Sequence, residues 1–200
     1  MGLKSLLGGS DDKFSTERRA DARRKVLLSA EVHPVARYVS ARVENVSRTG
    51  LMIACDEELK VEQVVALNVE GEGFHMATVR WARGQRYGLR LQGALLVFGF
   101  DEEELEAGEG GEQARERRHE IDAAARLAIL APPQKGIIRD VSQSGLQIEG
   151  EFSFAEGDDV MVEPKGRPLI HGQVRWSDGA KMGIHATQRM AILRMVYSYD

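Results

Sequence analysis

The sequence predicts a mainly β protein made of two tandem small antiparallel barrels, and three observations carry that expectation. Glycine is abundant, at 21 of 200 residues, while aromatics reach only 6%; this balance favours turns and short strands over long helices. Apolar residues alternate with polar ones in short runs bounded by Gly, Asn or Asp. The third observation is an internal repeat. Asn45 to Ile53 recurs as Asp140 to Ile148, and Val79 to Leu89 recurs as Val174 to Ile184, both displaced by 95 positions. The constant offset means that the segment between the blocks has kept its length, and such a period suits tandem domains rather than a solenoid.

In the first copy, Val26, Leu28, Ala30 and Val32 alternate as one strand, and Val39, Ala41 and Val43 as a second that leads into a turn at Asn45. Strands then follow at Leu51 to Ala54, Val64 to Val69, Met76 to Trp81 and Tyr87 to Leu91. Five or six such strands per copy make a small closed barrel. The second copy runs through Arg126 to Leu130, Gly136 to Arg139, Leu146 to Glu149, Asp159 to Glu163, Ile170 to Trp176 and Met182 to His185. Met190, Leu193, Val196 and Tyr197 then recur at helical spacing, which predicts a short C-terminal helix over 187–199. The domains are therefore read as a flexible start (1–13), a first barrel (14–98), a linker (99–112) and a second barrel (113–200). Within the linker, Asp101 to Glu112 holds six glutamates, one aspartate and three glycines, too charged and flexible to bury.

Net charge is −4 but unevenly spread. Residues 1–98 carry 15 Lys and Arg against 12 Asp and Glu, whereas 99–200 carry 12 against 19, so the first half favours an anionic partner. The longest apolar runs, such as Ala94 to Phe98, are far too short to cross a bilayer. With no secretory or myristoylation pattern at the start, the protein is expected in the cytoplasm. The lone Cys55 fits a reducing compartment and reads as a buried small hydrophobe. His33, His75, His119, His171 and His185 show no metal spacing, and no nucleophile motif is present, so neither enzyme, metal nor cofactor is expected.

The chemistry concentrates ahead of the first strand. Arg18, Arg19, Arg23 and Arg24 fall within seven positions, and Asn45-x-Ser47-x-x-Gly50 follows. Asn45 and Ser47, two apart on a strand, share a face from which an amide and a hydroxyl can bond a base edge. Gly50 is expected to supply a positive φ, as is Gly145. Trp81 and Trp176 read as core residues, with Trp81 also a candidate ligand contact, and Tyr87 reads as packing.

Together these elements resemble the PilZ domain family, marked by R-x-x-x-R before the barrel and [D/N]-x-S-x-x-G in a turn. Arg19 to Arg23 matches the first element and Asn45 to Gly50 the second; Val79-Arg80-Trp81 and Tyr87-Gly88-Leu89 are similar to the family's closing strands. The resemblance implies a receptor for cyclic di-GMP, bound by Arg18, Arg19, Arg23, Asn45, Ser47 and Gly50, with Arg24, Arg48 and Trp81 as further candidates. Arginine suits that ligand because its fork can bond phosphate or the O6 and N7 edge of guanine. In the second copy the turn persists as Asp140, Ser142 and Gly145, but the offset sets Ala114 against Arg19 and Arg118 against Arg23. That copy is expected to bind weakly and to face a protein partner or another copy of the chain. Rival readings are a scaffold whose basic segment meets an acidic protein and, less favoured, a nucleic-acid binder.

Overall fold

The computed structural model describes residues 22–71, 73–91, 94 and 118–191. The expected flexible start, the linker, Arg18, Arg19 and most of the expected C-terminal helix lie outside these residues, and 187–191 are irregular. Eleven strands occur among the described residues: β1 (Arg24–Ser47), β2 (Gly50–Ala54), β3 (Val64–Val69), β4 (Phe74–Arg83), β5 (Arg86–Arg90), β6 (His119–Leu130), β7 (Gln134–Ser142), β8 (Gly145–Glu149), β9 (Asp159–Pro164), β10 (Ile170–Ser177) and β11 (Lys181–Ala186). Every strand expected from the alternation falls on one of them.

The departure is β1. The segments read as two strands, 26–32 and 39–43, form one uninterrupted strand of 24 residues, where a strand of five or six is usual. The reason lies in the residues between them. His33-Pro34-Val35-Ala36-Arg37-Tyr38 contains no Gly, Asn or Asp to reverse the chain. Pro34 donates no hydrogen bond, but its carbonyl accepts one from the Ala131 amide at 2.9 Å. At the corresponding place in the second repeat, Ala131-Pro132-Pro133 does interrupt the strand and separates β6 from β7.

Because β1 does not fold back, its halves serve different barrels. The second half pairs with β2 and with β6, from Val35 opposite Leu130 to Val46 opposite His119. The first half pairs with β7, from Arg24 opposite Val141 to Val32 opposite Gln134, and with β9. Barrel one closes through β1, β2, β5, β4, β3 and β6, and barrel two through β1, β7, β8, β11, β10 and β9. At the offset of 95, residues 24–35 correspond to 119–130, so the two repeats have exchanged their first strands. Closure leaves neither barrel with a free sheet edge.

The cores record the exchange. Ala123, Leu127 and Ile129 of β6 pack with Val43, Ile53, Val65, Val79 and Leu89 inside barrel one. Ala30 and Val32 of β1 pack with Ile138, Ile148, Val162 and Ile184 inside barrel two. A third cluster, Ala66, Ala128 and Met161 with Val35, Tyr38, Phe74 and Leu169 against it, joins the barrels. This explains the unbroken apolar runs Val65-Ala66-Leu67 and Val160-Met161-Val162: these strands are buried on both faces. At the same junction the Tyr38 hydroxyl lies 2.8 Å from His171 Nε2 and 3.3 Å from Asp159 Oδ2, with Arg126 stacked 3.7 Å above its ring. Burial, then the Asp159 charge, pushes the Tyr38 pKa up to about 12. Burial also holds His171 below its ordinary value, so a neutral phenol faces a neutral imidazole.

Candidate functional site

Each repeat places its turn at the end of a hairpin, Ser47 opposite Gly50 and Ser142 opposite Gly145. Both serines are buried, and each hydroxyl donates across its turn, Ser47 Oγ to the Gly50 carbonyl at 3.2 Å and Ser142 Oγ to that of Gly145 at 3.3 Å. Their first duty is thus to hold the turn. The glycines act differently from expectation, since neither has a positive φ. They allow a close strand approach instead: a Cβ on Gly50 would stand 2.1 Å from the Leu89 carbonyl oxygen, and one on Gly145 2.3 Å from that of Ile184.

A shallow cleft opens beside each turn. The cleft of barrel one is lined by Asn45, Ser47, Thr49, Met52, Arg80, Trp81, Arg90 and Arg118, among others. That of barrel two is lined by Arg23, Asp140, Ser142, Ser144, Gln147, Arg175, Trp176 and His185. Arg23 therefore does not join Asn45, Ser47 and Gly50, as its sequence neighbourhood implied. Strand exchange carries it to the turn of the second repeat, where Arg24 and Lys25 pair with Val141 and Asp140. By the same exchange Arg118 stands at the first repeat's turn, next to the pair His119 and Val46. Asn45, Ser47 and Gly50 stay together; Arg24 and Arg48 line neither cleft; Arg18 and Arg19 lie outside the described residues.

The tryptophans differ from the expected core residues. Trp176 is 43% exposed and Trp81 half-buried. Each indole lies across a glycine of the neighbouring strand: a Cβ on Gly183 would come within 2.1 Å of Trp176 Nε1, and one on Gly88 within 2.0 Å of Trp81 Nε1. Each cleft thus has a flat aromatic wall on which a base can stack. Among the described residues Arg23, Arg175, Arg90 and Arg118 have no carboxylate partner, whereas Arg80 bonds both oxygens of Glu62 at 2.8 and 3.1 Å. Guanidiniums held without a counter-ion beside an aromatic plate suit a phosphorylated base.

Tyr87 is buried in barrel one and Cys55 is buried, as expected, with burial raising the Cys55 thiol pKa. Histidine spacing alone missed one grouping. Glu31, His33 and Glu163 bring one ligand atom each within 4.8 Å of one another. His33 Nε2 already lies 3.3 Å from Glu163 Oε2, which accounts for the burial of that ring. Among the described residues no helix is long and apolar enough to cross a membrane.

Comparison with curated proteins and with solved structures found no match. A family model, the PilZ domain, matches twice, over residues 17–96 and 112–198. PilZ domains are a family of cyclic di-GMP receptors, not a known enzyme family. Two six-stranded barrels, a duplicated D/N-x-S-x-x-G turn and a double match over most of the chain lead to one conclusion: this chain belongs to the PilZ domain family, in a tandem arrangement.

Proposed function

We propose that the chain is a cyclic di-GMP receptor whose ligand site is built across the two repeats, in the cleft of barrel two. The observation that carries this reading is the position of Arg23 beside Asp140 and Ser142. Arg18 and Arg19, five and four positions earlier, continue the same arm and complete the R-x-x-x-R element. In this reading the arm's guanidiniums take the phosphates and the O6 and N7 edge of guanine. Asp140 accepts from the guanine amino group, and Trp176 offers a stacking face. The second repeat, whose own arginines are incomplete, borrows those of the first. The Asn45, Ser47 and Gly50 turn then belongs to a different cleft.

Binding rearranges the Arg-rich segment and the domain arrangement, and that rearrangement is the signal passed to a downstream protein partner in motility, biofilm formation or a related output. Barrel two differs from barrel one on the outside of its exchanged ladder. Leu27 is 70% exposed there and Ile137 36%, while their counterparts at the offset of 95 are the ion-paired Asp122 and Arg42. This asymmetry supports a partner contact on barrel two, next to the arm.

Isothermal titration of the full chain with cyclic di-GMP, against cyclic di-AMP as control, tests the reading. Loss of each charge-assisted contact weakens binding by about ten-fold or more, so Arg19→Ala with Arg23→Ala is expected to bring affinity near the limit of detection. Unchanged affinity in that double variant refutes the site.

A further inference from the structure

We infer that the cleft of barrel one is a second, separate ligand site, selective for a nucleotide bearing a terminal phosphate. The inference rests on the exchange-built cleft and does not require cyclic di-GMP to bind barrel two. Three arginines, Arg80, Arg90 and Arg118, line this cleft, and among the described residues no carboxylate does. Arg118 reaches it only because β6 has moved into barrel one.

The pseudo-symmetric cleft of barrel two supplies an internal reference. At the offset of 95, Asn45 stands where barrel two has Asp140, and Arg90 where it has His185. Both differences move charge in the same direction, one removing a carboxylate and the other adding a permanent cation. Met52 stands where barrel two has Gln147, which removes a hydrogen-bonding group that could read a base edge. Barrel one thus trades base reading for charge. Each phosphodiester of a cyclic dinucleotide carries one negative charge, whereas a terminal phosphate carries about −1.5 to −2 near neutral pH and three strong acceptor oxygens. Arg90 and Arg118, which have no carboxylate partner among the described residues, match the latter. Trp81, lying across Gly88, supplies the stacking face for the base. Glu62 partly neutralises Arg80, and Glu120, cross-strand from Asn45 but not lining the cleft, opposes anion entry from the rim.

The test is titration of the full chain with GTP, with 5′-phosphorylated linear diguanylate and with cyclic di-GMP. The first two are expected to bind and to lose about ten-fold or more in affinity in the Arg90→Ala, Arg118→Ala double variant. They should keep their affinity within about two-fold in the Arg23→Ala, Asp140→Ala variant. Glu120→Gln is expected to tighten them by removing a like charge. Both arginines are exposed, and a thermal melt checks that the double variant keeps its fold. The inference is overturned if neither terminally phosphorylated ligand binds, or if their binding is lost with Arg23 and Asp140 instead. If they bind through Arg90 and Arg118 while cyclic di-GMP does not bind at all, only the barrel-two reading fails.

Discussion

Truncation of Leu127 separates an exchanged fold from an unexchanged one. Leu127 belongs to the second repeat by sequence, yet it is fully buried in barrel one beside residues of β1, β2 and β3. Leu127→Ala removes three carbons, worth about 0.8 kcal/mol each in transfer. The cavity left behind in a close-packed barrel brings the loss to roughly 3–4 kcal/mol. At a urea dependence of about 1–2 kcal/mol per molar for a small barrel, the midpoint falls by roughly 2 M. Each barrel carries one tryptophan, so a Trp176→Phe background reports barrel one through Trp81, and a Trp81→Phe background reports barrel two. Fluorescence-monitored urea unfolding is expected to show the Trp81 transition moving by at least twice as much as the Trp176 transition. The mirror variant Val32→Ala, in β1 but in the core of barrel two, should reverse the order. If Leu127→Ala destabilises the Trp176 transition and spares that of Trp81, β6 packs in its own repeat's barrel and the exchange is wrong.

Two further outcomes follow from the geometry. Gly183→Ala puts a Cβ where Trp176 lies; the half-exposed indole is expected to swing outward, red-shift its emission and weaken cyclic di-GMP binding by about 5- to 100-fold, the range of one lost base–aromatic stack. His75 and His171 are both held below their ordinary value of 6.5 by burial, so the unfolded chain takes up protons first as pH falls. The stability present above pH 6.5 is therefore lost as pH falls from there toward the folded-state values, and the melting temperature should drop between about pH 7 and pH 5. In His171→Gln that drop should shrink, and an unchanged pH profile in this variant would show that His171 does not contribute.

Strand positions, the duplicated turn and the two-barrel fold class were legible because alternation and repetition are local properties of the chain. Strand exchange was not. Residues 24–32 carry the same inward pattern whichever barrel they enter, since the two repeats offer nearly equivalent slots. The one local hint is that His33 to Tyr38 holds a single proline and no Gly, Asn or Asp, set against the doubled Pro132-Pro133 in the second repeat. The expected grouping of Arg23 with Asn45 and Ser47 differs from the structure for the same reason. Proximity in sequence joined Arg23 to Asn45, while the ladder between β1 and β7 joins it to Asp140. Gly50 and Gly145 were identified as necessary, but sequence does not distinguish a positive φ from a carbonyl pressed against the α-carbon. The exposed tryptophans likewise depend on which strand holds the opposing glycine. His33 and Glu163, 130 residues apart, share no spacing that a sequence could reveal.

The composite site is tested most directly by titrating cyclic di-GMP into two matched variants, Asp140→Ala and Asn45→Ala. Each removes the first residue of one D/N-x-S-x-x-G turn from a hairpin of the same geometry. Loss of the carboxylate's charge-assisted bonds is expected to weaken binding by about ten-fold or more in Asp140→Ala, with Asn45→Ala within about two-fold of the unmodified chain. Strong loss in Asn45→Ala with Asp140→Ala unaffected would contradict a site shared between the repeats and return the arginine arm to its own.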